Sequence, residues 1–251
     1  MGRQTRERSK DLRKGRAAIA GRTGALNPVM IGGLVVIVAL VAAIGFMVVR
    51  AGGGSGSVSS GPLVVPKGAT AGGALAVGRP EAPVKLEIYL DYMCPYCGKF
   101  ERANTAEIDE LIADGTARVE LYPLNFLDRF SSGTRYSTRA SNAVATVADR
   151  APDKVMALSR ALFENQPAEG GAGLTDARIA ELATAAGVPQ DVVGVLADGL
   201  FSTWVTRSND AAFEAGITGT PTIKINGQKY AGDLYTAGPL TRAVTSAAGN
   251  Q

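Results

Sequence analysis

An uncharged run of 20 residues, Met30 to Val49 (MIGGLVVIVALVAAIGFMVV), sets the organisation of this chain. At 1.5 Å per residue a helix of that length spans about 30 Å, the thickness of a bilayer's hydrocarbon core. A buried helix of a water-soluble domain would be shorter and would carry a polar face. The run therefore predicts one transmembrane helix. Signal-peptide cores are shorter, about 7–15 residues, and end in a small-residue cleavage site. Here Val49-Arg-Ala-Gly-Gly follows, so the expectation is an uncleaved anchor.

Charge divides at the same place. Residues 1–29 carry eight Lys/Arg against Glu7 and Asp11, a net +6; residues 51–251 carry 17 basic and 21 acidic side chains, a net −4. The overall +3 is thus a sum of opposites. The basic flank leaves residues 1–29 as a cytoplasmic tail and everything beyond Arg50 outside the cell membrane. The lipid bilayer is an expected partner through residues 30–49. No nucleic-acid partner is expected, because the part with material for a core is acidic. Residues 50–73, rich in Gly and Ser, predict a flexible linker with a reach of roughly 25 Å. Residues 74–251 remain for a folded domain.

Within that domain, Val84, Leu86, Ile88 and Leu90 alternate with Lys85, Glu87, Tyr89 and Asp91, which predicts a strand. A helix follows from Pro95, with Phe100, Asn104, Ile108, Leu111 and Ile112 at helical spacing, closed by Asp114-Gly115. Ala117–Tyr122 predicts a second strand. From about 131 to 215 the periodicity is helical. Thr220-Pro221 then opens a hairpin whose turn is Asn226-Gly227, and a last amphipathic helix runs from about Pro239 to Ala247. A helical block set into an α/β layer follows, since the flanking strands need each other as partners.

The chain has two cysteines, at positions 94 and 97, and no histidine. Zero His excludes Ser-His-Asp and Cys-His nucleophile pairs and imidazole metal ligands. On random placement two cysteines fall three apart in roughly 1 case in 125, so the spacing is itself informative. Cys94-Pro95-Tyr96-Cys97 sits where a strand gives way to a helix N-terminus, whose orphan N–H groups and dipole favour an anion. A cysteine there has its thiolate stabilised and its pKa lowered. Cys94, at the exposed end, is the expected nucleophile; Cys97, one turn in, is placed to attack the resulting mixed disulfide. A merely structural disulfide across so short a loop would stabilise little, and a metal site would need two further ligands. The expected chemistry is redox exchange, with no metal and no cofactor beyond the dithiol.

The stretch Asp91-Tyr-Met-Cys-Pro-Tyr-Cys-Gly-Lys-Phe-Glu101, a helical insertion, then Gly219-Thr-Pro-Thr-Ile-Lys-Ile-Asn-Gly227 resembles the DsbA-like branch of the thioredoxin superfamily. Val77-Gly-Arg-Pro-Glu-Ala-Pro-Val84 is similar to that branch as well. The resemblance covers about residues 74–250 and implies a thioredoxin fold with an inserted helical domain, preceded here by one transmembrane helix. It implies that Pro221 is a cis-proline facing the dithiol, although an X-Pro bond is trans by default. It implies that Thr220 presents backbone to an extended substrate peptide, and that the insert forms a lid. Cysteine-containing exported polypeptides are the implied substrates, and a membrane quinone-linked protein the implied reoxidant. Two positions depart from the pattern. Tyr96 stands where strongly oxidising members have His, and Ile88 where many relatives carry a buried acid. Glu87 would replace that acid only if the second face of its strand were covered near the site. Two other readings stay open: a tethered reductase for a dedicated client, and a non-catalytic module using the thiols as soft metal ligands.

Overall fold

The computed structural model describes residues 61–249. The expected tail, the anchor at 30–49 and the start of the linker lie outside the described residues. Among those described, no helix is long and apolar enough to cross a membrane.

A five-stranded sheet carries the domain. Its strands are β1 (Leu75–Val77), β2 (Val84–Leu90), β3 (Ala117–Pro123), β4 (Thr222–Ile225) and β5 (Gln228–Lys229), in the spatial order β1-β3-β2-β4-β5. Strands β2 and β3 run parallel, with Leu86 beside Val119 and Ile88 beside Leu121; the other pairs are antiparallel. The parallel pair requires a crossover, which is α1 (Pro95–Ala113). Proline fills its first position, where a missing N–H costs nothing. The helix ends at Asp114, whose carboxylate accepts the Thr116 N–H at 2.7 Å. Strand β2 turns Val84, Leu86, Ile88 and Leu90 into a core that also holds Phe100, Ile108 and Leu111 of α1 and Leu240 and Val244 of the C-terminal helix.

The second face of the sheet is divided. Toward the C-terminal ends of β2 and β3, Tyr89 and Tyr122 stack at 4.1 Å and are buried with Leu124, Ala212 and Ile217. Further back, Lys85 lies 3.5 Å from Glu87 and 3.7 Å from Glu120, and Arg118 lies 3.7 Å from Glu120. The hairpin between β4 and β5 turns on Asn226 and Gly227, both at positive φ, which suits the type I′ geometry that Asn-Gly favours. The Asn226 carboxamide oxygen accepts the Lys85 N–H at 2.7 Å, fixing the hairpin to β2.

Between β3 and β4 lies the helical insert: α2 (Tyr136–Arg150), α3 (Val155–Glu164), α4 (Asp176–Ala185), the short α5 (Gln190–Val193) and α6 (Ser202–Glu214). A seventh helix, α7 (Pro239–Gly249), closes the chain. The insert is organised around α2, which buries twelve of its residues. Its small side chains let neighbours approach from most sides, and Ser137, Ser141, Asn142 and Thr146 are buried in hydrogen bonds. Asn142 donates to the Leu196 carbonyl and accepts the Phe201 N–H, both at 2.8 Å.

Two differences from the sequence reading concern the chain before β2. Strand β1 is absent from that reading: three residues after a Gly-rich stretch show no alternation, and the strand exists only by pairing with the edge of β3. The linker was expected to run to residue 73, yet its last part lies on the domain. Pro66 is buried, the Lys67 N–H donates to Asp149 at 2.9 Å, and Ala69 bridges to Leu75. The folded domain therefore starts earlier than composition indicated.

Asn142→Ala leaves a buried carbonyl and a buried N–H without partners. The expected loss is about 2–5 kcal/mol in urea unfolding. A loss under about 1 kcal/mol would show that the insert does not rest on this clamp.

Candidate functional site

The dithiol occupies the junction of β2 and α1. Three hydrogen bonds shape the turn: Cys94 N–H to the Asp91 carbonyl at 3.0 Å, and Cys97 N–H and Gly98 N–H to the Cys94 carbonyl at 3.0 and 3.2 Å. Cys94 is the N-cap of α1, so its sulfur lies at the helix mouth beside the N–H groups of the first turn. Pro95 and Tyr96 are exposed on the surface over it. The Tyr96 ring packs on Tyr235 at 5.9 Å and lies under the Lys99 ammonium at 4.6 Å.

Thr220 and Pro221 reach the same place from the far end of the domain. Antiparallel pairing sets Thr222 opposite Tyr89, so the residues just before β4 emerge beside those just after β2. The Thr220–Pro221 bond is cis, and the Cys94 thiol donates to the Thr220 carbonyl at 3.3 Å. The structure thus brings all six sequence-selected residues together: Cys94, Pro95, Tyr96, Cys97, Thr220 and Pro221.

The two sulfurs differ in environment. Cys94 is 6% exposed and Cys97 is sealed at 0%; both are free thiols. The Cys94 pKa is lowered to about 6. The largest cause is the Cys97 thiol donating to it; the Thr220 hydroxyl and the N–H groups of Cys97 and Tyr96 add to this against the cost of burial. Burial pushes Cys97 well above the ordinary thiol range, and its donation to Cys94 and the Cys94 negative charge push it further. No histidine takes part. The second sulfur and the helix terminus supply the stabilisation instead.

Asp91 is the residue that sequence reasoning missed. It reads as the polar end of an alternating strand, yet it is fully buried. Its carboxyl accepts the Met93 N–H at 2.8 Å, the Leu127 N–H at 2.9 Å and the Ser137 hydroxyl at 2.6 Å. The one local signal was its place in the first motif. Burial, with a smaller contribution from the Cys94 charge, raises its pKa to about 7 against the pull of those three bonds. Glu87, the candidate for a displaced buried acid, belongs instead to the ion-pair cluster with Lys85, and Ile88 lies in the core.

Beside Cys94 opens a cleft of about 460 Å³. Its walls include Asn125, Phe126, Leu127, Arg129, Phe213 and Thr220, and Phe213 is 65% exposed. The insert therefore contributes a wall to the site through α6 and the segment after β3. Among the described residues, no group of three or more His, Cys, Asp or Glu side chains is arranged to hold a metal ion.

Asp91 gives the fold a defined pH dependence. Its folded pKa of about 7 lies above the ordinary 3.8, so between those values the folded state binds a proton that the unfolded state does not. Its contribution to stability is complete below pH 3.8 and is lost as pH rises through about 7. In the reduced protein, wild-type stability relative to Asp91→Asn should fall by up to about 1.4 kcal/mol per pH unit in that window. Denaturant titrations at several pH values check this; parallel pH profiles for the two proteins would contradict it.

Comparison with known proteins agrees with this geometry. The family described as Thioredoxin matches residues 70–241. The reduced form of the disulfide bond oxidoreductase DsbG from Mycobacterium tuberculosis superposes with a TM-score of 0.57 at 27% identity, covering 72% of this chain and 96% of that one. Oxidised DsbA from the same organism gives a TM-score of 0.57 at 27% identity, covering 70% and 99%. The MdbA thiol-disulfide oxidoreductase of Actinomyces oris shares the fold with a TM-score of 0.63 at 24% identity, covering 77% and 97%. A curated sequence relative is the serine/threonine-protein kinase PknE of M. tuberculosis, 34% identical over 155 residues; the match takes in 59% of this chain and only 27% of the kinase. With its CxxC pair at Cys94 and Cys97, the chain belongs to the thioredoxin family, as a DsbA-like thiol–disulfide oxidoreductase.

Proposed function

We propose that the protein is an oxidant of cysteine pairs in exported polypeptides, held at the outer face of the cell membrane by residues 30–49. The observation that carries the reading is the inequality of the two sulfurs. Cys94 is favoured as thiolate at neutral pH, and Cys97 is buried as thiol. An acidic, stable Cys94 thiolate favours the reduced form, so the disulfide form has a driving force to oxidise others.

The steps balance as follows. A substrate thiolate attacks Cys94 Sγ of the disulfide, forming a mixed disulfide and releasing the Cys97 sulfur, which takes up a proton. A second substrate thiolate attacks the substrate sulfur of that bond. The substrate leaves as a disulfide, two electrons poorer, and Cys94 leaves as thiolate. The cleft beside Cys94 and the Thr220 backbone suit an extended chain lying across the sulfur. A membrane quinone-linked protein would then take the two electrons and restore the disulfide.

Cys97→Ser removes the resolving sulfur while keeping a hydroxyl donor toward Cys94. This variant, mixed with a disulfide-bonded or activated cysteine peptide, should hold the peptide in a mixed disulfide through Cys94 and release it at least about tenfold more slowly than wild type. With Cys94 accessible, a failure to form the adduct would defeat the reading. In the wild-type protein, a dithiol peptide left reduced at equilibrium with the disulfide form would reverse the direction and favour a reductase.

A further inference from the structure

Gln166 lies just beyond α3, in the segment that leaves the insert helix, and outside both motifs of the site. Its side-chain nitrogen donates to the Tyr92 carbonyl at 3.1 Å and to the Cys94 carbonyl at 2.8 Å. A primary amide carries two N–H bonds, so one nitrogen serves both acceptors. The two carbonyls bracket the turn into α1. The Cys94 carbonyl is the same atom that accepts the Cys97 and Gly98 N–H groups of the first helical turn. A single side chain of the insert therefore grips the dithiol turn, in addition to the turn's own hydrogen bonds to Asp91.

The grip explains a glycine that helix formation would disfavour. Gly98 lies inside α1 and is buried, where glycine is a poorer helix former than alanine. A Cβ there would overlap the Gln166 side-chain oxygen and stand 3.0 Å from its amide carbon. The amide is the end of a flexible side chain, so it would swing aside rather than strain the backbone, and both hydrogen bonds would go with it.

We infer that Gln166 is a positioning residue for Cys94, and that Gly98 is the space this residue needs. The inference rests on the reading of Cys94 as the attacking sulfur. Gln166 acts through the turn: the N–H groups of Tyr96 and Cys97 favour the Cys94 thiolate, and they keep their aim only while the turn between Tyr92 and Gly98 is held. Without the amide the two carbonyls turn toward water and those N–H groups drift from the sulfur. The reach of the side chain also couples the insert to the dithiol, so a displacement of the insert would alter Cys94 as well as the cleft.

The test is the pH profile of Cys94 alkylation by iodoacetamide, in the reduced full-length protein, for Gln166→Ala, Gln166→Glu, Gly98→Ala and the Gly98→Ala/Gln166→Ala pair. Glutamate keeps the shape, loses the donors and adds a like charge, so its shift is read as an upper bound beside that of the uncharged Gln166→Ala. The expected result is a midpoint displaced upward in every single variant, with a rate at pH 6 lowered about threefold to tenfold. The double variant should match the singles rather than multiply them, since both remove one contact. Tm should show a change of sign: Gly98→Ala lowers it or leaves it level alone and raises it in the Gln166→Ala background, where the helix gains and no contact remains to lose. A low wild-type midpoint left unmoved by Gln166→Ala and Gln166→Glu would overturn this inference alone. A wild-type midpoint in the ordinary cysteine range would overturn the thiolate reading and this inference with it.

Discussion

The stability of one anion, the Cys94 thiolate at the mouth of α1, governs how the surrounding elements are arranged. Parallel pairing of β2 with β3 forces a helix to begin at the end of β2, and that helix start is where backbone N–H groups lack partners. Antiparallel pairing of β4 with β2 returns the chain to the same end 126 residues later, so that Thr220 meets Cys94. The sheet register, set by apolar alternation along β2, is thus what turns two distant motifs into one site.

The magnitudes show how far such a site can go without histidine. A pKa of about 6 in place of 9.0 makes Cys94 about 90% thiolate at pH 7 rather than about 1%. The gain to the reduced form at that pH is on the order of 1 kcal/mol, in the direction that makes the disulfide form the better oxidant. Only the part of the shift below the ambient pH counts, because an ordinary thiol would be protonated there in any case. Asp91 opposes the same anion at short range, and its own carboxyl is driven toward protonation. The dithiol and the buried acid therefore share their charge: ionisation of one makes ionisation of the other more costly.

What could be read from the residues, and what could not, follows from the range of the interactions involved. Alternation along Val84–Leu90, the proline at the start of α1 and the Asn226-Gly227 turn are local, and each appears in the structure as expected. The dithiol announces itself by residue type and spacing, and Thr220-Pro221 only through the family resemblance of the stretch around it. Asp91 does not, because its burial comes from Leu127 and Ser137 closing over it, 36 and 46 residues away in the chain. Gln166 does not either, since an amide in a loop has no pattern until the turn it grips is in place. Helical periodicity over about 131–215 reports apolar spacing only, whereas in α2 Ser137, Ser141, Asn142 and Thr146 are buried too, where hydrogen bonds rather than hydrophobicity repay their burial.

Absorbance of the thiolate in the reduced protein, followed from pH 4 to pH 10 with the Cys94→Ser/Cys97→Ser pair as the blank, addresses the central claim most directly. The account predicts one thiolate appearing with a midpoint near 6 and no second one until well above 9. Two thiolates appearing together near pH 9 would contradict it, because the paired sulfurs and the helix terminus would then confer no preference on Cys94.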